Sequence, residues 1–370
     1  MTWNWQTPDW PKWQYDPQAL AAQERQFLLN AGQLIGAWSH LAGPEQQATK
    51  VEMLTQEAMQ TSAIEGEMLD RASVQSSMRR QFGLSADRRA GAAESGIAEL
   101  LADGFRNWNT PLDAGMLFDW HRMVCRGRGD LADIGAWRSG GDPMQVVSGP
   151  YQRPVVHFEA PPADEMPGQM AQFITWFNDA GADGANHIPA LTRAGLAHLY
   201  FVSVHPFEDG NGRIARALSE KALAQAVGQP SLTALSVQIE RTRRAYYDVL
   251  ETNNKQMDVT PWLIWFGETV LAAQGLSQRM IDHLIFKAHL MEALRDQLNP
   301  RQTKALLRMF DAGPDGFTGG MSAANYITIT DASPATARRD LAELVTLGAL
   351  TRTGEKKGTR YWLVTHYRNR

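Results

Sequence analysis

The feature that most constrains the fold is a twelve-residue stretch, residues 205–216, which reads His-Pro-Phe-Glu-Asp-Gly-Asn-Gly-Arg-Ile-Ala-Arg. Its Gly-Asn-Gly centre predicts a turn, because glycine tolerates backbone angles that other residues avoid. Residues 190–203 before the turn and residues 210–226 from it onward both have the pattern of a helix. The fold must therefore join two helices through a loop that faces the free N–H groups of the second helix.

The residue types in this stretch suit the handling of phosphate groups. His205 can accept a proton near neutral pH, and Asp209 can bind a hard cation such as Mg²⁺. Arg213 and Arg216 lie three residues apart on one helical face, where both can bind phosphate oxygens. Glu208 is expected to be solvated. Each residue alone has an ordinary structural explanation, but their joint occurrence favours a site for phosphoryl or nucleotidyl transfer.

At every fixed position the stretch matches the signature His-x-Phe-x-Asp/Glu-Gly-Asn-Gly-Arg-x-x-Arg, and the chain thereby resembles the Fic family. The resemblance implies a mostly α fold, a Fic-type helical bundle with a small β-hairpin flap. It also implies protein adenylyltransferase activity, in which AMP passes from ATP, with Mg²⁺, to a Tyr, Thr or Ser hydroxyl of a target protein. His205 would be the catalytic base and Asp209 the metal ligand. The residues implied to bind the nucleotide here are Asp209, Gly210, Asn211, Gly212, Arg213 and Arg216.

A second stretch, Thr61-Ser-Ala-Ile-Glu65-Gly66, resembles the inhibitory signature Ser/Thr-x-x-x-Glu-Gly/Asn of many Fic proteins. Thr61 and Glu65 share a helical face, and Gly66 lets the chain turn after them. Alone, such a glutamate would be an exposed helix end. Ahead of a complete Fic motif, the resemblance implies that Glu65 enters the nucleotide site, pairs with Arg216 and inhibits the enzyme in cis.

Two further segments match the family more loosely. Val146, Val147, Ser148 and Gly149, followed by Val155-Val156, predict a hairpin. The resemblance implies that this hairpin is the flap that covers the site, with these four residues beside the nucleotide, and a target segment could add a strand to its edge. Tyr246, Tyr247 and Asn254 fall where relatives contact the adenine and ribose. The alternative for either tyrosine is a place in the core, since both lie at helical spacing from Leu250.

The chain divides by pattern into three regions. Residues 1–110 hold an arm rich in tryptophan, expected to dock on the helical body, and the helices that carry the inhibitory motif. Residues 111–277 are the predicted Fic catalytic domain. Residues 296–370 resemble a winged-helix domain, with a helix starting at the proline of Asp331-Ala-Ser-Pro and a hairpin with a basic tip.

Composition narrows the class of protein. The 370 residues carry a formal net charge of −4, which gives no general attraction to nucleic acid or membrane. Cys125 is the single cysteine, so an internal disulfide and a thiolate metal cluster are excluded. The N-terminus lacks a signal-peptide pattern and no run is long and apolar enough to span a membrane. We therefore expect a cytoplasmic protein without membrane contact.

Other functions stay open on the sequence. Residues 296–370 contain 11 Lys or Arg against 7 Asp or Glu, so the chain could be a DNA-binding regulator whose Fic part senses a nucleotide. This region could equally bind a protein. A Fic enzyme could instead transfer another phosphate-containing group or remove AMP. Self-modification and a homodimer are also left open.

Overall fold

The structure, a computed structural model, describes residues 2–86, 88–149 and 153–364. It confirms a mostly helical fold with a small β-hairpin. Within these ranges, no helix is long and apolar enough to cross a membrane. The helices of the larger part are α1 (Pro17–Ser39), α2 (Gly43–Ile64), α3 (Arg71–Gln81), α4 (Ala92–Arg106), α5 (Ala114–Val124), α6 (Met166–Asp179), α7 (Ala190–Val204), α8 (Asn211–Val227), α9 (Leu235–Arg241), α10 (Arg243–Asn253) and α11 (Thr260–Ala293).

Residues 1–39 and 47–277 form one compact unit, and residues 40–46 and 278–370 form a second. The predicted division between residues 110 and 111 falls inside the first unit. The division of the chain into three functional regions therefore remains a prediction.

Helix α7 lies at the centre of the first unit. All its residues except Val202 are buried, as expected for a helix that is apolar on every side. It packs against α1, α6 and α8. Because α7 ends at Val204 and α8 begins at Asn211, the Fic-like motif spans the loop that joins these two core helices and the start of α8.

The tryptophan-rich arm packs onto this unit. Trp3 is buried edge-on against Phe158, with ring centroids 5.5 Å apart, and Trp10 packs edge-on against Tyr200 at 5.2 Å. The arm is not wholly extended, since Asn4–Gln6 form one 3-10 turn. Asn4 is buried there, and its side chain donates a hydrogen bond to Ser203 Oγ at 3.0 Å.

A two-stranded antiparallel hairpin precedes α6. Its strands are β1 (Gln145–Ser148) and β2 (Val155–Glu159), and Ser148 pairs with Val155. The register shifts between Val146 and Val147, which leaves His157 of β2 as a bulge residue without a strand partner. Val146 and Val147 are exposed.

The second unit has a small core of its own. Its further elements are α12 (Pro300–Phe310), α13 (Ala323–Thr330), α14 (Pro334–Thr346) and the antiparallel strands β3 (Leu350–Thr353) and β4 (Arg360–Leu363). Ser333 caps α14 by accepting a hydrogen bond from the Thr336 N–H, as its place before Pro334 predicts. The winged-helix-like fold of residues 296–370 stays a prediction, and residues 365–370 of that region lie outside the described residues.

We expect Asn4→Ala to lower the melting temperature of the protein by at least about 2 °C, because the change leaves the buried Ser203 hydroxyl without its donor. Asn109→Ala, at an exposed site after α4, is the matched control and should leave it nearly unchanged. Scanning calorimetry measures both. Equal melting temperatures for the two variants would show that Asn4 does not anchor the arm.

Candidate active site

His205 occupies a strained backbone position at the end of α7. Its backbone angles are φ 52° and ψ 59°, in the left-handed region that residues other than glycine rarely adopt. Buried Arg138 holds this conformation: its Nε donates to His205 O at 2.8 Å, its backbone N–H donates to Pro206 O at 3.0 Å, and its Nη2 donates to Pro161 O. Sequence reasoning missed Arg138, since nothing in its local sequence marks it.

Internal hydrogen bonds shape the loop after His205. The Asn211 side chain accepts from the Phe207 N–H at 3.1 Å and donates to Phe207 O at 2.8 Å. Both groups of its amide are therefore used inside the protein, so the side chain shapes the loop, and its predicted contact with phosphates gains no support from this placement. Glu208 is not simply solvated as expected, because it accepts from the N–H groups of Ala132 and Asp133 at 2.8 and 3.0 Å.

The first turn of α8 is covered by a carboxylate. Gly210, in the left-handed region at φ 82°, precedes the helix, and Gly212 lies in its first turn. A Cβ atom on Gly212 would lie only 2.2 Å from Glu65 Oε1. Because the N-terminus of a helix attracts anions, Glu65 occupies a position that suits a negatively charged ligand.

Arg216 of α8 is fully buried and pairs with the Thr61–Glu65 segment. Its Nη2 donates to Glu65 Oε1 at 2.8 Å and to Thr61 O at 2.9 Å, and its Nε donates to Thr61 Oγ1 at 2.7 Å. Burial lowers the pKa of Arg216, but the charge and hydrogen bond of Glu65, together with Tyr246 and Tyr247, outweigh burial, and the net direction is upward. Its Nη1 makes no hydrogen bond within the described part of the chain and lies 3.3 Å from the Cβ position of Gly212. One buried donor thus stays available beside the helix end.

Asp209 and Arg213 also belong to an ion-pair cluster. Asp209 Oδ1 accepts from the Gly210 N–H at 2.6 Å and lies 3.4 Å from Arg213 Nη2, while Oδ2 pairs with Arg128. Arg213 Nη1 donates to Glu67 Oε2 at 2.8 Å. Two neighbouring carboxylates, Glu65 and Glu67, therefore cover the two motif arginines. Sequence reasoning missed Arg128 and Glu67, which lie outside both motifs.

The tyrosine pair divides between the core and the site. Tyr246 is only 2% exposed, and its hydroxyl lies 2.9 Å from His198 Nε2 inside the core. The predicted contact of Tyr246 with a nucleotide gains no support from this placement and stays a prediction. Tyr247 is 41% exposed, and its hydroxyl donates to Ile64 O at 3.0 Å, beside Glu65. Asn254 is buried and uses its backbone carbonyl to accept from the Asn4 N–H at 2.8 Å.

Comparison with known proteins identifies the family. A profile described as Fic/DOC family matches residues 111–223, and one described as a domain of unknown function (DUF4172) matches residues 3–84. Residues 111–223 therefore belong to a Fic/DOC domain. The protein adenylyltransferase Fic of Drosophila grimshawi is 32% identical over 133 residues, which cover 34% of this chain and 25% of that protein. The protein adenylyltransferase fic-1 of Caenorhabditis briggsae is 34% identical over 86 residues, which cover 23% of this chain and 15% of that protein.

Matches to solved structures concern the fold alone. A Fic family protein from Desulfovibrio desulfuricans G20 superposes with a TM-score of 0.50 and 22% identity, over 94% of this chain and 97% of that chain. A Fic domain containing signaling protein from Bacteroides thetaiotaomicron gives 0.51 and 20%, over 67% of this chain and 95% of that chain. The curated relatives, by contrast, are matched over only 15% to 25% of their length.

The environment of His205 in this Fic domain keeps the imidazole neutral. The His205 side chain is partly exposed, but protein atoms surround most of its ring. This burial and the charge of Arg138 lower the pKa of His205 to about 4. Its Nδ1 lies 3.4 Å from Val202 O. Since a carbonyl only accepts, Nδ1 carries the proton and Nε2 is left free to accept one.

We expect the imidazole of His205 to titrate near pH 4 in the free protein, well below the ordinary value of about 6.5. Histidine-labelled NMR measures the midpoint, and His205→Gln assigns the signal. Because the unfolded state binds the proton more readily, the contribution of His205 to stability is complete above about pH 6.5. That contribution is lost as the pH falls toward 4. A midpoint near 6.5 would contradict the burial argument.

Proposed function

We propose that the chain transfers AMP from ATP to a Tyr, Thr or Ser hydroxyl of a protein, and that Glu65 restrains this reaction. The observation that carries the proposal is the Glu65 carboxylate, which covers the first turn of α8 and pairs with buried Arg216. A carboxylate there stands where a phosphate would bind. The names of the curated relatives, which are protein adenylyltransferases, support the same reaction.

The residues around α8 suit a triphosphate. The Gly212 N–H lies in the first helical turn, and the guanidinium groups of Arg213 and Arg216 would neutralise phosphate charge. In the proposed reaction, the target hydroxyl oxygen attacks the α-phosphorus of ATP. The bond from this phosphorus to the oxygen bridging to the β-phosphate breaks, and pyrophosphate leaves.

His205 would accept the proton of the attacking hydroxyl at Nε2. A pKa of about 4 makes the free imidazole a weak base that is neutral at pH 7. The negative charge of a bound triphosphate would raise this pKa toward neutrality and so strengthen the base when substrate is present. Proton transfer of this kind accounts for roughly two to four orders of magnitude in rate.

Magnesium fits this site as a partner of the nucleotide. Among the described residues, no group of three or more His, Cys, Asp or Glu could hold a metal. Asp209 offers one partly exposed carboxylate beside α8, although Arg128 and Arg213 pair with it in this structure. Mg²⁺ commonly binds through one or two carboxylates together with substrate phosphates. Asp209 would hold the ion, which would offset the charge of the phosphates.

We expect Glu65→Ala to increase transfer at least tenfold, because Arg216 would then be free to bind phosphate. A tenfold change corresponds to about 1.4 kcal/mol, which is within the range of a partly shielded carboxylate–guanidinium pair. The measurement is incorporation of label from α-labelled ATP into protein. Glu52→Ala is the matched control, because Glu52 lies on α2, the helix that ends just before Glu65, but pairs with Arg71, away from the motif.

Further variants separate the alternatives. Adding His205→Ala to Glu65→Ala should abolish transfer to an added target protein if His205 is the base for that hydroxyl. The mass of the adduct distinguishes AMP from another phosphate-containing group. If Glu65 serves chiefly to remove AMP, Glu65→Ala should fail to release AMP from a modified protein. Equal rates for Glu65→Ala and Glu52→Ala would exclude inhibition by Glu65.

We further propose that the second unit binds DNA. Arg338 and Arg339 are exposed on α14, and Lys356 and Lys357 are exposed between β3 and β4. Such side chains would bind phosphates of the DNA backbone without regard to sequence.

We expect the protein to bind nonspecific duplex DNA at low salt, with an affinity that falls steeply as salt rises. Replacing Arg338 and Arg339 by alanine should weaken binding and reduce the salt slope by roughly one for each phosphate that is no longer bound. Replacing the adjacent pair Arg243 and Arg244 of α10 is the matched control. Fluorescence anisotropy measures both, and absence of binding at low salt would leave the second unit as a protein-binding module.

A further inference from the structure

The hairpin and α10 together carry three hydrogen-bonded side chains that the Fic motif does not include. Ser148 Oγ of β1 lies 2.6 Å from His157 Nε2 of β2, and His157 Nδ1 lies 2.7 Å from Glu251 Oε2 of α10. Lys255 donates to the other oxygen of Glu251 at 3.1 Å. A hydroxyl, an imidazole and a carboxylate in this order form the arrangement that activates a nucleophilic serine.

The carboxylate fixes the direction of these hydrogen bonds. Hydrogen bonds from His157 and Lys255 lower the pKa of Glu251, so this group is ionised and can only accept. In a neutral ring the proton therefore lies on His157 Nδ1, which donates to Glu251. Nε2 is then the acceptor, and the Ser148 hydroxyl donates to it. The proton that a nucleophilic serine must lose already points at a base.

Backbone geometry brings the imidazole into place and leaves the hydroxyl accessible. His157 is the bulge residue of β2, and bulges commonly redirect a side chain near functional sites. Ser148 is exposed at the end of β1, and the His157 side chain is 33% exposed. An electrophile can therefore reach the serine oxygen while the base stays behind it.

Both ends of this arrangement connect to the candidate active site. Pro161, just after β2, accepts a hydrogen bond from Arg138, which also holds the carbonyl of His205. On α10, Tyr247 lies one turn before Glu251 and donates to Ile64 O, beside Glu65. The hairpin is thus attached to the His205 turn on one side and, through α10, to the inhibitory segment on the other.

We propose that Ser148 is the acceptor hydroxyl for self-modification by AMP, an inference that rests on the proposed transferase function. Ser148 Oγ attacks the α-phosphorus of ATP and forms a phosphodiester bond to it. The bond between that phosphorus and the oxygen bridging to the β-phosphate breaks, and pyrophosphate leaves with its electron pair. The serine proton passes to His157 Nε2, and Glu251 stabilises the resulting imidazolium.

Ser139 provides a comparison within the same segment. It is exposed like Ser148, but its hydroxyl donates to Asp133 Oδ2 at 2.8 Å, and no imidazole takes part in that contact. If exposure alone selected the acceptor, both serines would be modified. Activation by His157 selects Ser148.

The test uses the full-length Glu65→Ala protein with ATP and locates AMP by peptide mapping with fragment ions, which separate Ser148 from Tyr151. We expect AMP on Ser148, its loss with Ser148→Ala, and a decrease of at least tenfold with His157→Gln or Glu251→Gln. Ser139→Ala is the matched control and should leave AMP on Ser148 unchanged. A second measurement, without ATP, compares labelling of Ser148 by a fluorophosphonate probe in the wild type and in His157→Gln.

The outcomes separate this inference from the proposed function. AMP on other residues but not on Ser148 would overturn the inference and leave the transferase function standing. Absence of AMP from this chain and from every added protein would overturn both. Equal probe labelling of Ser148 with and without His157 would overturn activation by the imidazole. Circular dichroism of each variant shows whether a loss reflects misfolding, and Ser148→Thr, which keeps a hydroxyl, should retain AMP at this position.

Discussion

The arrangement of the candidate site depends on the buried guanidinium of Arg216, whose charge must be compensated by its neighbours. A cation with 1% of its side chain exposed is stable only if charge and hydrogen bonds compensate it. Thr61 and Glu65 supply both from the end of α2, so the position of this segment depends on Arg216 as much as Arg216 depends on it. A phosphate could replace the Glu65 carboxylate beside Arg216. A bound ligand and the bound inhibitory segment are therefore alternatives at this one buried charge.

The charged residues next to Arg216 are compensated in the same way. Arg213 is nearly buried and pairs with Glu67, two residues beyond Glu65, while Asp209 pairs with Arg128. Arg213, Arg216 and Asp209 are thus each paired with an opposite charge from outside the motif. A triphosphate that displaced only Glu65 would still meet Glu67 on Arg213, so Glu67 adds to the restraint that Glu65 imposes. Tyr247, which donates to Ile64 O, ties that turn to α10 and adds to the resistance.

How much the sequence could predict depends on the range of each interaction. The helices on both sides of residues 205–216, the hairpin and the approach of Glu65 to Arg216 follow from local pattern and from the family signature. Arg138 could not be predicted, because its partners His205 and Pro161 lie 67 and 23 residues away and only the folded chain brings them together. Helical spacing also could not decide which tyrosine faces the core. Packing against His198 and Trp265 buries Tyr246 and leaves Tyr247 at the surface.

Helix α10 has a role that neither motif indicates. Tyr247 and Glu251 lie four residues apart on one face of it, and they contact the inhibitory turn and the hairpin respectively. A shift of α10 would therefore change both contacts together. Glu251, which orients the His157 imidazole beside Ser148, thus lies on the same helix as the residue that contacts the inhibitory turn. Helix α10 therefore gives the hairpin a physical connection to the nucleotide site.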